Sequence, residues 1–164
     1  MKMLFALLVA GLCQVTMAGG HHPNPSTALD KLKSLAGEWE FESEGRTFIA
    51  TFEVVSQGQA VVERTMGMVD VFHVVNGNQL MDTHYCSLGN QPRMIYTMDP
   101  LGNKLEFRFH DITNLSPGQE HISQHMIEFV SDREIIETWI SRDASGAESG
   151  FSLKLTRRSK GVRQ

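Results

Sequence analysis

The chain has 164 residues, with 15 basic and 19 acidic side chains and a formal net charge of −4. That length suits one domain with a sizeable core rather than two, and the mildly acidic balance gives no general attraction for nucleic acid. Of the two cysteines, Cys13 and Cys86, the first falls in the leader described next, so no internal disulfide is expected in the remainder.

The opening residues read as an address. Lys2 is followed by the apolar run Leu4–Leu12 and by Thr16-Met17-Ala18, with small residues where a signal peptidase cuts. Residues 1–18 are therefore expected to be a secretory signal peptide, since a membrane span needs about 20 apolar residues. Leu12 stands before Cys13 where a lipid-anchor motif has a small residue. The expectation is a freely soluble, secreted or periplasmic protein, monomeric or weakly associated, with no membrane span. Cleavage after Ala18 would expose Gly19-Gly20-His21. An amine, two backbone nitrogens and the His21 imidazole form a square-planar set suited to Cu(II) or Ni(II). The plainer reading is a flexible terminus whose histidine does nothing.

Residues 19–27 form a polar, mobile lead. Ser26 or Thr27 can cap a short helix over Ala28–Leu35, with Leu29, Leu32 and Leu35 on one face, stopped by Gly37. From there hydrophobicity alternates with period two. Strands are expected at Glu38–Ser43, Thr47–Val55, Ala60–Met66, Val69–Val75, Gln79–Cys86, Arg93–Met98, Lys104–His110, His121–Val130, Glu134–Ser141 and Gly150–Thr156. Turn residues separate them, of which Asn76-Gly77 is the strongest short hairpin signal.

About ten short-linked strands with one apolar face argue an antiparallel meander, and closure on itself removes its edges. The expected fold is all-β: an up-and-down antiparallel β-barrel of about ten strands with a short N-terminal helix, over residues 28–157. Residues 158–164 form a basic tail, read as a solvated terminus.

Gly37-Glu38-Trp39, after a short helix and at the head of the first strand, resembles the Gly-x-Trp signature of the lipocalins and the wider calycin group. The resemblance implies a ligand-binding barrel whose base is closed by Trp39 under a C-terminal arginine, Arg157 or Arg158. The central hairpin is similar to that of uncharacterised exported bacterial lipocalin-like proteins. The lipocalin Thr-Asp-Tyr motif is missing. Haem-binding barrels resembling nitrobindin extend Gly-x-Trp with further glycines, whereas Glu40 and Phe41 follow here, and the last two strands hold no histidine.

The hairpin Thr83–Met94 gathers His84, Tyr85, Cys86, Asn90, Gln91 and Arg93 within eleven residues, more chemistry than a turn requires. With Trp39 these are the candidate ligand-binding residues. Asp82, His84 and Cys86 share one strand face and Met81, Thr83 and Tyr85 the other, so either register puts polar atoms inside. Glu63 against Arg64, and Glu137 on the face of Trp139, do the same. A mostly apolar cavity with a few converging polar groups suits a small molecule. The expected function is an exported binding module for a small apolar or amphipathic ligand; an internal polar network that merely fixes register is the competing reading. The alternatives are an enzyme using His84 and Cys86, about 7 Å apart along a strand, or a haem- or metal-binding barrel. No cofactor is indicated, and Cys86 also reads as a small apolar filler. His121 and His125, about 13 Å apart on one strand, cannot chelate one ion together and read as surface residues.

Overall fold

A computed structural model describes residues 25–97 and 102–159. The segment expected to be a signal peptide (1–18), His21 and the end of the basic tail (160–164) lie outside the described residues.

Helix α1 (Pro25–Ser34) begins earlier than the Ser/Thr pair suggests, because Pro25 suits a first helical turn, where its missing N–H needs no partner. Ten strands follow: β1 (Gly37–Ser43), β2 (Arg46–Val55), β3 (Ala60–Thr65), β4 (Met68–Val75), β5 (Gln79–Tyr85), β6 (Gln91–Thr97), β7 (Lys104–Thr113), β8 (His121–Ser131), β9 (Glu134–Arg142) and β10 (Glu148–Arg157). Each pairs antiparallel with its sequence neighbour, and β1 pairs β10 through Trp39 and Arg157, closing the barrel. The result is the ten-stranded antiparallel barrel expected from the period-two pattern, and it is consistent with the calycin-like fold that the Gly-x-Trp resemblance implies. Among the described residues no helix is long and apolar enough to cross a membrane.

Local chemistry sets the corners. Asn76 and Gly77 both have positive φ in the three-residue corner 76–78 between β4 and β5, a backbone region that asparagine and glycine take most readily. Strand β6 starts two residues earlier than expected and contains Pro92; the ladder with β7 is interrupted between Arg93 and Met94, a bulge that accommodates a residue with no N–H to donate. Gly150 is different: added there, a Cβ would lie 2.5 Å from Ile140 Cδ1 and 2.9 Å from the Trp139 carbonyl oxygen. Gly150→Ala is therefore expected to cost about 1–3 kcal/mol through overpacking, readable as a lower urea midpoint with unchanged slope.

The helix closes one end, here called the base. Leu29, Leu32 and Leu35 pack with Trp39, Phe52, Phe72, Leu80, Phe107, Ile127 and Leu155 in one buried cluster. Trp39 Nε1 donates to the Leu35 carbonyl at 2.8 Å, and the Arg157 guanidinium lies 4.3 Å over its ring. Arg157 also donates to the carbonyls of Ser34 and Ala36 at the helix end. Helix, first strand and last strand are thus tied at a single point.

Along the barrel axis the inward faces change character. Strand β3 runs Val61, Glu63, Thr65; β4 runs Phe72, Asp70; β5 runs Leu80, Asp82, His84; β8 runs Ile127, His125, Ser123; β9 runs Ile135, Glu137, Trp139; all are buried. Four of the five pass from apolar to polar or ionisable along the strand, and β9 passes through Glu137 to the indole of Trp139. At the opposite end, the mouth, Phe109 and Phe151 lie on the same strand faces as buried Phe107 and Leu153, yet are 39% and 48% exposed. Solvent therefore reaches inward-facing aromatic rings there.

Candidate functional site: an acid and imidazole cluster inside the barrel

Strand pairing places the polar half. Glu63 stands directly across from Asp70, and Asp70 directly across from His84. Two carboxyl groups opposite one another on a buried face repel unless something positive or protic lies between them. Asp82 comes from the same strand as His84, while His125 and Glu137 come from β8 and β9. All six side chains are fully buried.

Two bonds organise the group. His84 Nδ1 lies 2.8 Å from Asp70 Oδ1, and His125 Nδ1 lies 2.9 Å from Asp82 Oδ2. With the carboxyl oxygen accepting in each, Nδ1 carries the hydrogen, and Nε2 of the neutral ring is then a bare lone pair. The His125 ring stacks on Trp139 at 3.6 Å and 10°, and His84 packs against the same indole at 5.0 Å. Both imidazoles are thus held by a carboxyl group on one side and an aromatic wall on another.

The remaining atoms are mostly acceptors facing acceptors. Both oxygens of Glu63 and Glu137, Asp70 Oδ2, Asp82 Oδ1, His84 Nε2 and His125 Nε2 are buried without a hydrogen-bond donor when the carboxyl groups are ionised. Protons relieve this in part. A proton on Glu63 can bridge to Glu137, and one on Asp70 Oδ2 can bridge to Asp82, linking His84–Asp70–Asp82–His125 in one chain. Burial, then repulsion from Glu137 and Asp82, holds the Glu63 carboxyl well above its usual range. Burial, then Asp82 and the two glutamates, does the same to Asp70. Burial pushes Glu137 up to about 7 against the opposing effects of His125 and the Glu63 bond, and burial pushes His84 down to about 4.

These shifts fix a pH dependence. Glu137 keeps its proton to about pH 7 when folded but only to about 4.5 otherwise. Its contribution to stability is full below 4.5 and is lost as pH rises towards 7; Glu63 and Asp70 act in the same direction. His84 acts oppositely, with a contribution that is full above 6.5 and lost as pH falls towards 4. His121, also pushed down by burial, acts with His84, and the three buried carboxyl groups outweigh the two imidazoles. Chelator-treated protein should therefore melt at a higher temperature at pH 5.5 than at pH 8, by differential scanning fluorimetry. A higher melting temperature at pH 8 would contradict the protonated cluster.

Among the described residues, two groups of three donors converge, Glu63, His125 and Glu137, and Asp70, Asp82 and His125; within each, one atom from every residue lies within 4.8 Å of the others. Asp82 and His125 Nδ1 already bond each other, so the second group serves as support for His125. The first has His125 Nε2 and both glutamates free to take a positive centre.

The residues singled out in the sequence are divided by the pleat. His84 lies in the cluster, and Trp39 lies at the far, apolar base. Asn90 is buried and donates through Nδ2 to the Glu120 carbonyl at 3.0 Å. Tyr85 points outward and is half exposed, while Cys86 is a free, partly exposed thiol in the turn. Gln91 bonds Gly89, Thr113 and Asn114, and Arg93 grips Asp111 with a two-pronged contact on the outer surface. Tyr85, Gln91 and Arg93 line an outer groove of about 420 Å³ with Thr83 and Thr113, so the hairpin does not bring its polar residues together around His84. His125, expected at the surface, is instead fully buried, because it shares its strand face with Ile127. Asp70 was likewise missed; its signal was its place two residues before Phe72 on an inward face.

A scan against protein-family models matches none of them, and a search of curated proteins finds no match. The functional reading therefore rests on the site itself.

Proposed function

We infer that this protein is an exported binding module whose ligand sits in the polar half of a lipocalin-like barrel. The leader at residues 1–18 supports export, and Trp39 beneath Arg157 supports kinship with the lipocalins. The observation that carries the binding reading is the buried excess of acceptors around Glu63, Glu137 and His125. A network that served only to fix strand register would match donors with acceptors, since each unmet buried polar group costs about 1–3 kcal/mol. A ligand with a positive centre meets the need. The apolar half is occupied by its own core, so it offers less to a purely apolar ligand than the acids offer to a cationic one. Phe109 and Phe151 at the mouth supply apolar contact for the organic part of an amphipathic ligand.

Native mass spectrometry of protein purified from its host without chelator tests this. The folded wild-type protein should carry mass beyond its polypeptide, and Glu137→Gln should lack it. If neither protein carries extra mass, and none of the small organic or inorganic cations offered in excess is retained, the interior is not a binding site.

A further inference from the structure

We propose that a divalent first-row transition cation binds between Glu63, Glu137 and His125 inside the barrel. This rests on the reading of the polar interior as a ligand site and names the chemistry of its occupant. Three observations carry it. The donor atoms of these residues lie within 4.8 Å of one another, a spacing that one ion can span. His125 is oriented as metal-binding histidines usually are: its Nδ1–H is bonded to a carboxyl group, Asp82, which fixes the tautomer and leaves Nε2 bare. The indole of Trp139 stacked at 3.6 Å fixes the ring plane as well.

Charge and donor type narrow the ion. The two glutamates face each other with no cation among the described side chains bonded to either, and an ion of charge +2 offsets both. One imidazole nitrogen and carboxylate oxygens, with no thiolate, suit Zn(II), Fe(II) or Mn(II) better than Cu(I), and the nitrogen disfavours Mg(II) and Ca(II). Three protein donors leave a tetrahedral ion one further position, the arrangement of sites that keep water or a small molecule on the metal. Asp82 is a positioning residue, acting through His125. Asp70 and His84 extend the same support by the bond between them.

The test is a competition titration of Zn(II) and Mn(II) against a chromophoric chelator, using the mature protein in a His21→Ala, His22→Ala background so that its terminus does not contribute. One ion per chain is expected. Asp82→Asn should weaken binding by about 10–100-fold, and Glu63→Gln or Glu137→Gln should weaken it more, each with its circular dichroism unchanged. Zn(II) should also raise the melting temperature of the wild-type protein, and this readout does not depend on any variant folding. Unchanged affinity in both glutamate variants overturns the proposal, as does an absence of binding and of a melting shift in the wild-type protein. An organic cation retained in native mass spectrometry without any metal affinity overturns the metal site and leaves the interior binding reading standing. Failure of both experiments overturns both.

Discussion

Glu63→Gln is expected to raise the melting temperature of chelator-treated protein at pH 8 while weakening its hold on a cation more than Asp82→Asn does. The wild-type cluster confines four carboxyl groups where water cannot screen them, and Glu63 faces Asp70 across the ladder and Glu137 across the interior. At pH 8 the folded state must either keep protons that solvent would remove or hold like charges in low dielectric. Glutamine removes one of these charges, and its NH2 donates where the shared proton stood. Even buried ion pairs can often be replaced by uncharged residues of similar volume with no loss or a gain of about 1–4 kcal/mol, and here the neighbours of Glu63 are carboxyl groups like itself. For a domain of this size such a gain is about 3–12 °C. Proteins often give up stability for function in this way. A cluster that existed only to hold the barrel together would respond oppositely, so a lower melting temperature for Glu63→Gln in chelator at pH 8 counts against a binding role.

Trp39→Ala should produce the largest loss of stability. Trp39 is fully buried, packs edge-on to Phe52 at 6.4 Å, donates to Leu35 and lies beneath Arg157. Removing the indole leaves a cavity at the base and leaves the Leu35 carbonyl without that donor; large-to-small changes of this kind cost about 3–5 kcal/mol. The helix is affected too, because Arg157 caps its end and stacks on the same ring. Chemical denaturation should show the midpoint falling sharply, with loss of the signal from the helix. The polar half lies at the other end, so cation affinity per folded molecule should stay within about threefold of wild type, a difference of less than 1 kcal/mol. A Trp39→Ala protein as stable as wild type would mean that the base is not where the barrel is secured.

The barrel was legible in the sequence because its information is local. Alternation in Lys104–His110 and the Asn76-Gly77 turn each report a strand or a corner without reference to distant residues. Polar intrusions were visible as well: Asp82, His84, Glu63 and Glu137 each stood on a face with apolar neighbours. What could not be read was their convergence. Glu63 on β3 and Glu137 on β9 are separated by five strands in sequence order and meet only because the barrel closes. His125 was placed outside because β8 alternates weakly: outward-facing Met126 is about as apolar as inward-facing Ile127, and a bulge lies near Ser123. The hairpin drew attention through its composition, yet the pleat sends Tyr85 and Arg93 out and His84 in. Chemical density along the chain was a poor guide to chemical density in space.

The most direct test of the binding site is a crystal structure of the mature protein grown with Zn(II), with data collected on both sides of the zinc absorption edge. An anomalous difference peak about 2.0–2.2 Å from His125 Nε2 and from an oxygen of each of Glu63 and Glu137 is the predicted result. Glu63 and Glu137 carboxyl groups sharing a hydrogen bond, with no anomalous peak between them and His125 at saturating Zn(II), would contradict it.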